Sequence, residues 1–205
     1  SRHPGVPVIV VGNISVGGTG KTPVVIQLAR ELAERGFAPA IVSRGHGGSA
    51  GGVQRVHGVS DVREVGDEAL LIARSADLPA YVGRDRAAAA RKAAEEGARV
   101  LVCDDGLQHY RLRRDAEVVT IDADQGFGNG HLLPVGPLRE PRRRLADVDF
   151  VLYRNGADPS TAFRFEAEGF RRLGDGAQVA ARDWSQGARV HALAAIARPA
   201  RFFST

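Results

Sequence analysis

The chain has 205 residues, 43% of them hydrophobic and 25% charged, which allows one domain with a sizeable core, alone or with part of a second. A formal charge of +4 and a pI near 9.8 point to anionic partners such as nucleotides, phosphorylated substrates or phospholipid surfaces, while no aromatics interleave with the basic residues as a nucleic-acid platform requires. No apolar run approaches the roughly 18 residues of a spanning helix, no signal peptide is visible, and the single Cys103 leaves no internal disulfide, so a cytoplasmic protein with a buried structural thiol is expected.

Residues 6–11, Val-Pro-Val-Ile-Val-Val, read as a buried strand. They lead into Ser15-Val16-Gly17-Gly18-Thr19-Gly20-Lys21-Thr22, and residues 23–32 beyond carry apolar side chains at helical spacing. Strand, glycine-rich loop and helix in that order form the context of a P-loop. Glycines let backbone N–H groups turn inward around phosphate oxygens, and the helix N-terminus adds partial positive charge there. Lys21 is expected to reach the β- and γ-phosphates of a bound nucleotide, and the Thr22 hydroxyl to ligate Mg²⁺. Ser15 stands where the P-loop pattern asks for glycine, which leaves a plain glycine-rich turn as the alternative. Of 28 basic residues only Lys21 and Lys92 are lysines. That bias favours phosphate binding, where a compact ammonium serves better than a guanidinium.

A second strand is predicted at 38–43, followed by the glycine-rich string 44–52. That string contains G-x-G-x-x-A, but no helix opens directly behind it, so it reads as a mobile loop beside the phosphates or as a plain turn. Gly66-Asp67-Glu68 opens a helix running to about residue 76. Its acids either cap the helix and complement its dipole, or Asp67 accepts a proton from a substrate hydroxyl. A strand at 80–82 and an alanine-rich helix at 84–96 follow. The apolar strand from residue 100 ends in Asp104 and Asp105, where a Walker B acid holds Mg²⁺ opposite Thr22; an Asp-Asp-Gly turn is the alternative. Strands at 117–122 and 150–154 flank a long irregular segment, 125–141, rich in Gly and Pro and expected to be functional. The basic clusters at 111–114 and 142–144 read as solvated faces.

Strands alternating with helices predict an α/β fold, a P-loop nucleoside triphosphate hydrolase-like, mostly parallel sheet with helices on both faces. Past residue 158 the pattern changes. An antiparallel hairpin is predicted within 162–183, a strand at 190–194, and the start of a helix at 199–203. The domains are therefore read as 1–158, ATP-binding, and 159–205, an antiparallel extension with the start of a further domain. No methionine occurs, and the last βα unit is cut at its first turn, so a longer natural chain is expected.

Several blocks occur together and in order. They are Gly12-Asn13 ahead of the P-loop, Ser43-Arg44-Gly45, Gly66-Asp67-Glu68, Asp104-Asp105-Gly106-Leu107-Gln108-His109, and the run from Phe127 to Pro141 ending Gly-Pro-Leu-Arg-Glu-Pro. As a set, over residues 6–203, they strongly resemble the tetraacyldisaccharide 4′-kinase family of lipid A biosynthesis. The resemblance implies Mg-ATP-dependent phosphorylation of the 4′-hydroxyl of a lipid A disaccharide 1-phosphate, by a peripheral enzyme at the cytoplasmic face of the Gram-negative inner membrane. It implies no nucleic-acid or protein partner. By the same resemblance Lys21 and Thr22 handle phosphates and Mg²⁺, and Asp67 becomes the candidate base. Asp104 and Asp105 fall at the metal and phosphate site, with Arg139 and Glu140 on the loop facing the transferred phosphoryl group. Serine at the first P-loop position also belongs to the family pattern. Departures are His46 where the family has tyrosine, Ala69 where it has proline, and Leu107 where it has phenylalanine. The family's N-terminal membrane-binding segment and a C-terminal histidine that assists the base have no counterpart in these residues. Two other readings of the P-loop stay open at this level: an ATP-dependent enzyme acting on a small soluble substrate, and a nucleotide switch or assembly ATPase.

Overall fold

Alternation along the central strands decides which helices cover which face of the sheet. In the computed structural model, which describes residues 3–49, 51–166, 169–180, 191–194 and 203, β1 is Val8–Gly12 and β5 is Val100–Asp104. Val8, Val10, Leu101 and Cys103 face one way and pack on the alanines of α4 (Arg86–Glu95), namely Ala87, Ala89, Ala90 and Ala93. Val11 and Val102 face the other way and meet Val25 and Ala29 of α1 (Lys21–Glu34) and Ala69, Leu70 and Ile72 of α3 (Asp67–Ala76). A period of two on the strands thus feeds two separate cores, one on each side. Alanine on α4 lets that helix lie close to the sheet, and replacing a buried Leu101 or Ile72 by alanine would cost about 2–5 kcal/mol.

The chain falls into two compact units, Ser1–Ala162 and Phe163–Thr205. The sheet of the first has the order β3-β4-β2-β5-β1-β6-β7, with β2 at Pro39–Ser43, β3 at Gln54–Val56, β4 at Ala80–Val82, β6 at Ala116–Asp122 and β7 at Phe150–Arg154. A two-residue strand, β8 (Ala162–Phe163), stands beside β7 where the unit ends. The pairs β2–β4, β2–β5, β1–β5, β1–β6 and β6–β7 are parallel. β1 and β5 are central, so the loops leaving their C-terminal ends meet at one place above the sheet, where ligands of open α/β folds bind.

Neither β3 nor the short helix after it had a signal in the sequence reading. β3 (Gln54–Val56) pairs antiparallel with β4. The short α2 (Val62–Val65) is capped by the Asp61 carboxylate, which accepts from the Arg63 N–H. Three and four residues are too few for periodicity to register. The string 44–52 is built, in its described residues, as turns: Gly48 N–H donates to Gly45 and Ser49 N–H to Arg63. A Cβ on Gly66 would lie 2.3 Å from the His46 carbonyl oxygen, so this turn packs directly behind the start of α3.

In the second unit β9 (Gly169–Arg171) pairs antiparallel with β10 (Gln178–Ala180), the hairpin expected within 162–183. The expected strand at 190–194 is corrected: residues 191–194 carry no regular structure, and Val190 lies outside the described residues. Leu193 is exposed there, without the neighbouring strand that would turn alternation into a ladder among the described residues. The helix start expected at 199–203 lies outside the described residues except for Phe203, which is helical.

Candidate active site

The P-loop joins β1 to α1. Gly20, at φ 88°, occupies the left-handed region as N-cap of α1, and Gly17 sits at φ 113°, so both positions need glycine. Thr19 is buried and fixes the loop from within: its Oγ1 accepts from Asn13 Nδ2 at 3.1 Å and lies 2.8 Å from Thr120 Oγ1. Val16, Gly17 and Gly18 form the exposed rim. From outside, the loop is stapled to the far end of the long irregular segment. Ser15 bridges Leu138, Val16 N–H donates to the Pro137 carbonyl at 2.8 Å, and Arg139 N–H donates to the Ile14 carbonyl at 2.7 Å.

That staple brings Arg139 to the end of β5. Its Nη1 donates to the Asp105 carboxylate at 3.0 and 3.2 Å, and Lys21 Nζ stands 3.4 Å from the same carboxylate. Burial would raise the Asp105 pKa, but Lys21 and Arg139 together hold it below the ordinary carboxylate value. Asp105 holds both cations from a backbone at φ 46°, in the left-handed region. Its carbonyl accepts from Arg86 Nη2 at 3.1 Å, and Arg86 is itself buried.

Asp104 contrasts with its neighbour. Both of its carboxylate oxygens are buried without a hydrogen-bond donor. Burial first, and then the negative charge of Glu68, push its pKa up to about 7, against the pull of Lys21. Thr22 Oγ1 donates to Glu68 Oε1 at 2.5 Å. A carboxylate buried and unpaired beside a threonine hydroxyl and a second carboxylate is a donor set that fits a hard divalent cation. Among the described residues no group of three or more His, Cys, Asp or Glu could hold a metal alone. A few protein oxygens completed by phosphate and water is the pattern Mg²⁺ takes.

The structure therefore brings together Lys21, Thr22, Asp104, Asp105 and Arg139. Asp67 stands apart: it is exposed, its Oδ1 accepts from the Glu68 N–H at 2.8 Å, and it joins the group through Glu68. The Glu140 carboxylate is engaged elsewhere. It accepts from Gln108 Nε2 at 2.7 Å and Tyr110 Oη at 2.8 Å, with Arg144 Nε at 3.4 Å. Arg144 also binds Glu117 at 2.6 Å, so Glu140 belongs to a buried charged buttress under the loop. The sequence reading missed Glu68, Arg86 and Gln108 as site residues. Glu68 looked like half of a capping pair, and Arg86 had no signal beyond its place in a predicted helix.

A Cβ on Gly12 would lie 2.5 Å from Leu107 Cβ, so the end of β1 touches the turn beyond Asp105. This close approach holds the P-loop and the paired aspartates in one site.

Comparison with known proteins identifies the family. The family described as LpxK: Tetraacyldisaccharide-1-P 4′-kinase matches residues 1–205. A tetraacyldisaccharide 4′-kinase from Halorhodospira halophila and one from Alkalilimnicola ehrlichii are each 52% identical over 98% of this chain. The chain spans 61% of the length of each. The crystal structure of LpxK from Aquifex aeolicus in complex with ATP superposes with a TM-score of 0.70 at 30% identity, covering 83% of this chain and 57% of that one. The chain belongs to the tetraacyldisaccharide 4′-kinase family.

Proposed function

We propose that this chain carries the Mg-ATP site of a tetraacyldisaccharide 4′-kinase, a phosphotransferase that moves the γ-phosphoryl group of ATP to the 4′-hydroxyl of tetraacyldisaccharide 1-phosphate, yielding the lipid IVA precursor of lipid A. The observation that carries this reading is the convergence of Lys21, Thr22, Asp104, Asp105 and Arg139 above β1 and β5 in a chain of this family. The reading includes a division into an ATP-binding domain over 1–158 and a further domain beyond. It also includes peripheral action at the cytoplasmic face of the inner membrane. No helix among the described residues is long and apolar enough to cross a membrane.

The P-loop amides from Ser15 to Gly20 would cradle the β-phosphate, with Lys21 bridging toward the γ-phosphate. Asp105 holds Lys21 and Arg139 side by side, so two cations stand ready where charge develops on the transferred group. Thr22 and Asp104, with Glu68, would hold Mg²⁺, which when bound neutralises phosphate oxygens and orients the nucleotide. Asp67, exposed at the head of α3, would take the proton of the 4′-hydroxyl as its oxygen bonds to phosphorus and ADP departs. Glu140 supports Arg139 from behind through Gln108.

The test is transfer of radiolabelled γ-phosphate from ATP to tetraacyldisaccharide 1-phosphate by the intact protein. Label is expected in the lipid fraction, and Lys21→Ala is expected to lower turnover about 10²-fold, the scale of losing one preorganised charge-stabilising group. Label released only as inorganic phosphate would favour a nucleotide switch, and label on a small soluble acceptor would favour a different kinase.

A further inference from the structure

The long irregular segment has a second feature beyond presenting Arg139. Leu132, Leu133 and Val135 lie within four residues of one another and are 46%, 52% and 73% exposed. Single exposed aliphatics are ordinary, but three on one tight turn concentrate apolar surface. The turn is tied down by hydrogen bonds. Gly136 N–H donates to Leu132, Leu133 N–H to Leu138, and Leu138 N–H to His131, while Asn129 Nδ2 donates to Val135. A Cβ on Gly136 would sit 2.2 Å from Asn129 Oδ1, so the turn is packed inside and its apolar side chains are left outside. Arg142 stands near its base, with Arg143 next to it in sequence. Arg142 lies over the Phe127 ring at 4.3 Å, Gly128 packs on Pro137, and Arg142 and Arg143 are exposed. An apolar tip above a cationic collar complements a bilayer with anionic headgroups. Val135 is two residues from Pro137, whose carbonyl holds the P-loop through Val16.

We propose that the 131–137 turn is a membrane-docking tip: Leu132, Leu133 and Val135 enter the acyl boundary of an anionic lipid surface while Arg142 and Arg143 contact headgroup phosphates. This rests on the proposed lipid substrate in that it sets the Lys21–Arg139 site against the surface where such a substrate lies. The turn is short, so its hold is weak and serves to orient the site.

Cys103 is fully buried, so a Val135→Cys variant offers one accessible thiol among the described residues for an environment-sensitive fluorophore. Mixing the labelled intact protein with phosphatidylethanolamine–phosphatidylglycerol vesicles should raise and blue-shift emission severalfold, with less effect for pure phosphatidylcholine. A label at Val59→Cys is the control. Val59 is exposed and follows β3, whose end pairs with the start of β4, so it lies at the opposite end of the sheet from the P-loop. Unchanged emission at position 135, equal response at 59, or emission already blue-shifted without vesicles would each overturn the proposal. In a second arm, the triple variant Leu132→Ser, Leu133→Ser, Val135→Ser should lose transfer to vesicle-embedded disaccharide severalfold and keep transfer to detergent-dispersed disaccharide. Equal loss in both would overturn the docking role. A label that responds as expected in a protein unable to phosphorylate the disaccharide would uphold the docking tip and reject the proposed substrate.

Discussion

Asp104 is held in a state that folding alone disfavours. Burial raises its pKa from 3.8 to about 7, so on raising pH the unfolded chain releases this proton near pH 4 and the folded chain only near pH 7. The folded state therefore binds more protons across that window, and this residue's contribution to stability falls as pH rises through it and stays low above. Asp104→Asn should remove that slope. Without metal at pH 8 the variant should melt several degrees above wild type, and it should lose the further rise that wild type gains from Mg-ATP. Equal melting curves for the two proteins from pH 4 to 8 would show that Asp104 is not desolvated. Asp67 predicts the opposite pattern. Asp67 is the first residue of α3, after the N-cap Gly66, and its Oδ1 accepts only the Glu68 N–H, a bond that an Asn Oδ1 can accept as well, so Asp67→Asn should leave the melting temperature and Mg-ATP affinity unchanged while transfer drops by about 10²-fold or more, as loss of a general base does. Wild-type turnover in this variant would leave Asp67 only its local bond to Glu68 at the start of α3.

Two elements meet at Gly12, and the site depends on how closely they approach. Leu107 Cβ occupies the space a side chain there would take. Gly12→Ala must therefore push β1 from the turn beyond β5 or shift Leu107 in the core, which costs roughly 1–3 kcal/mol. Because Lys21, at the head of α1, and Asp105 follow directly from the two displaced strand ends, Mg-ATP affinity should fall beyond what the lost stability explains. Calorimetric titration at a temperature where the variant is fully folded separates the two effects. Wild-type affinity there would mean the P-loop is positioned by its own hydrogen bonds alone. The buttress of Glu117, Arg144 and Glu140 does for the 127–141 segment what Gly12 does for β1. It fixes a long loop with buried charge pairs where no regular backbone ladder exists.

At the scale of the molecule, every buried residue of both hydrophobic cores lies within the first unit. So do the P-loop, Glu68, the paired aspartates and Arg139. A polypeptide of residues 3–162 is expected to unfold cooperatively and to show a Mg-ATP-dependent rise in melting temperature. Non-cooperative melting, or no response to Mg-ATP, would show that the second unit is needed to complete the nucleotide site.

Much of this could be read before any fold was known. Residues 8–12, 39–43, 80–82, 100–104 and 150–154 are short apolar runs bounded by turn residues, and α1, α3 and α4 carry helical spacing, so strand and helix identity followed from local pattern. The P-loop was legible because phosphate binding by backbone amides demands particular residue types at fixed spacing. What the sequence could not supply were relations across distance. Glu68 reaches Thr22 over 46 positions, and Arg139 reaches Asp105 over 34. The Glu140 carboxylate turned to Tyr110 and Gln108, which no spacing rule contains. Local periodicity reports which face of an element is buried. Only the order of the sheet, with β1 between β5 and β6, decides which loops share its C-terminal edge, and so which charges meet.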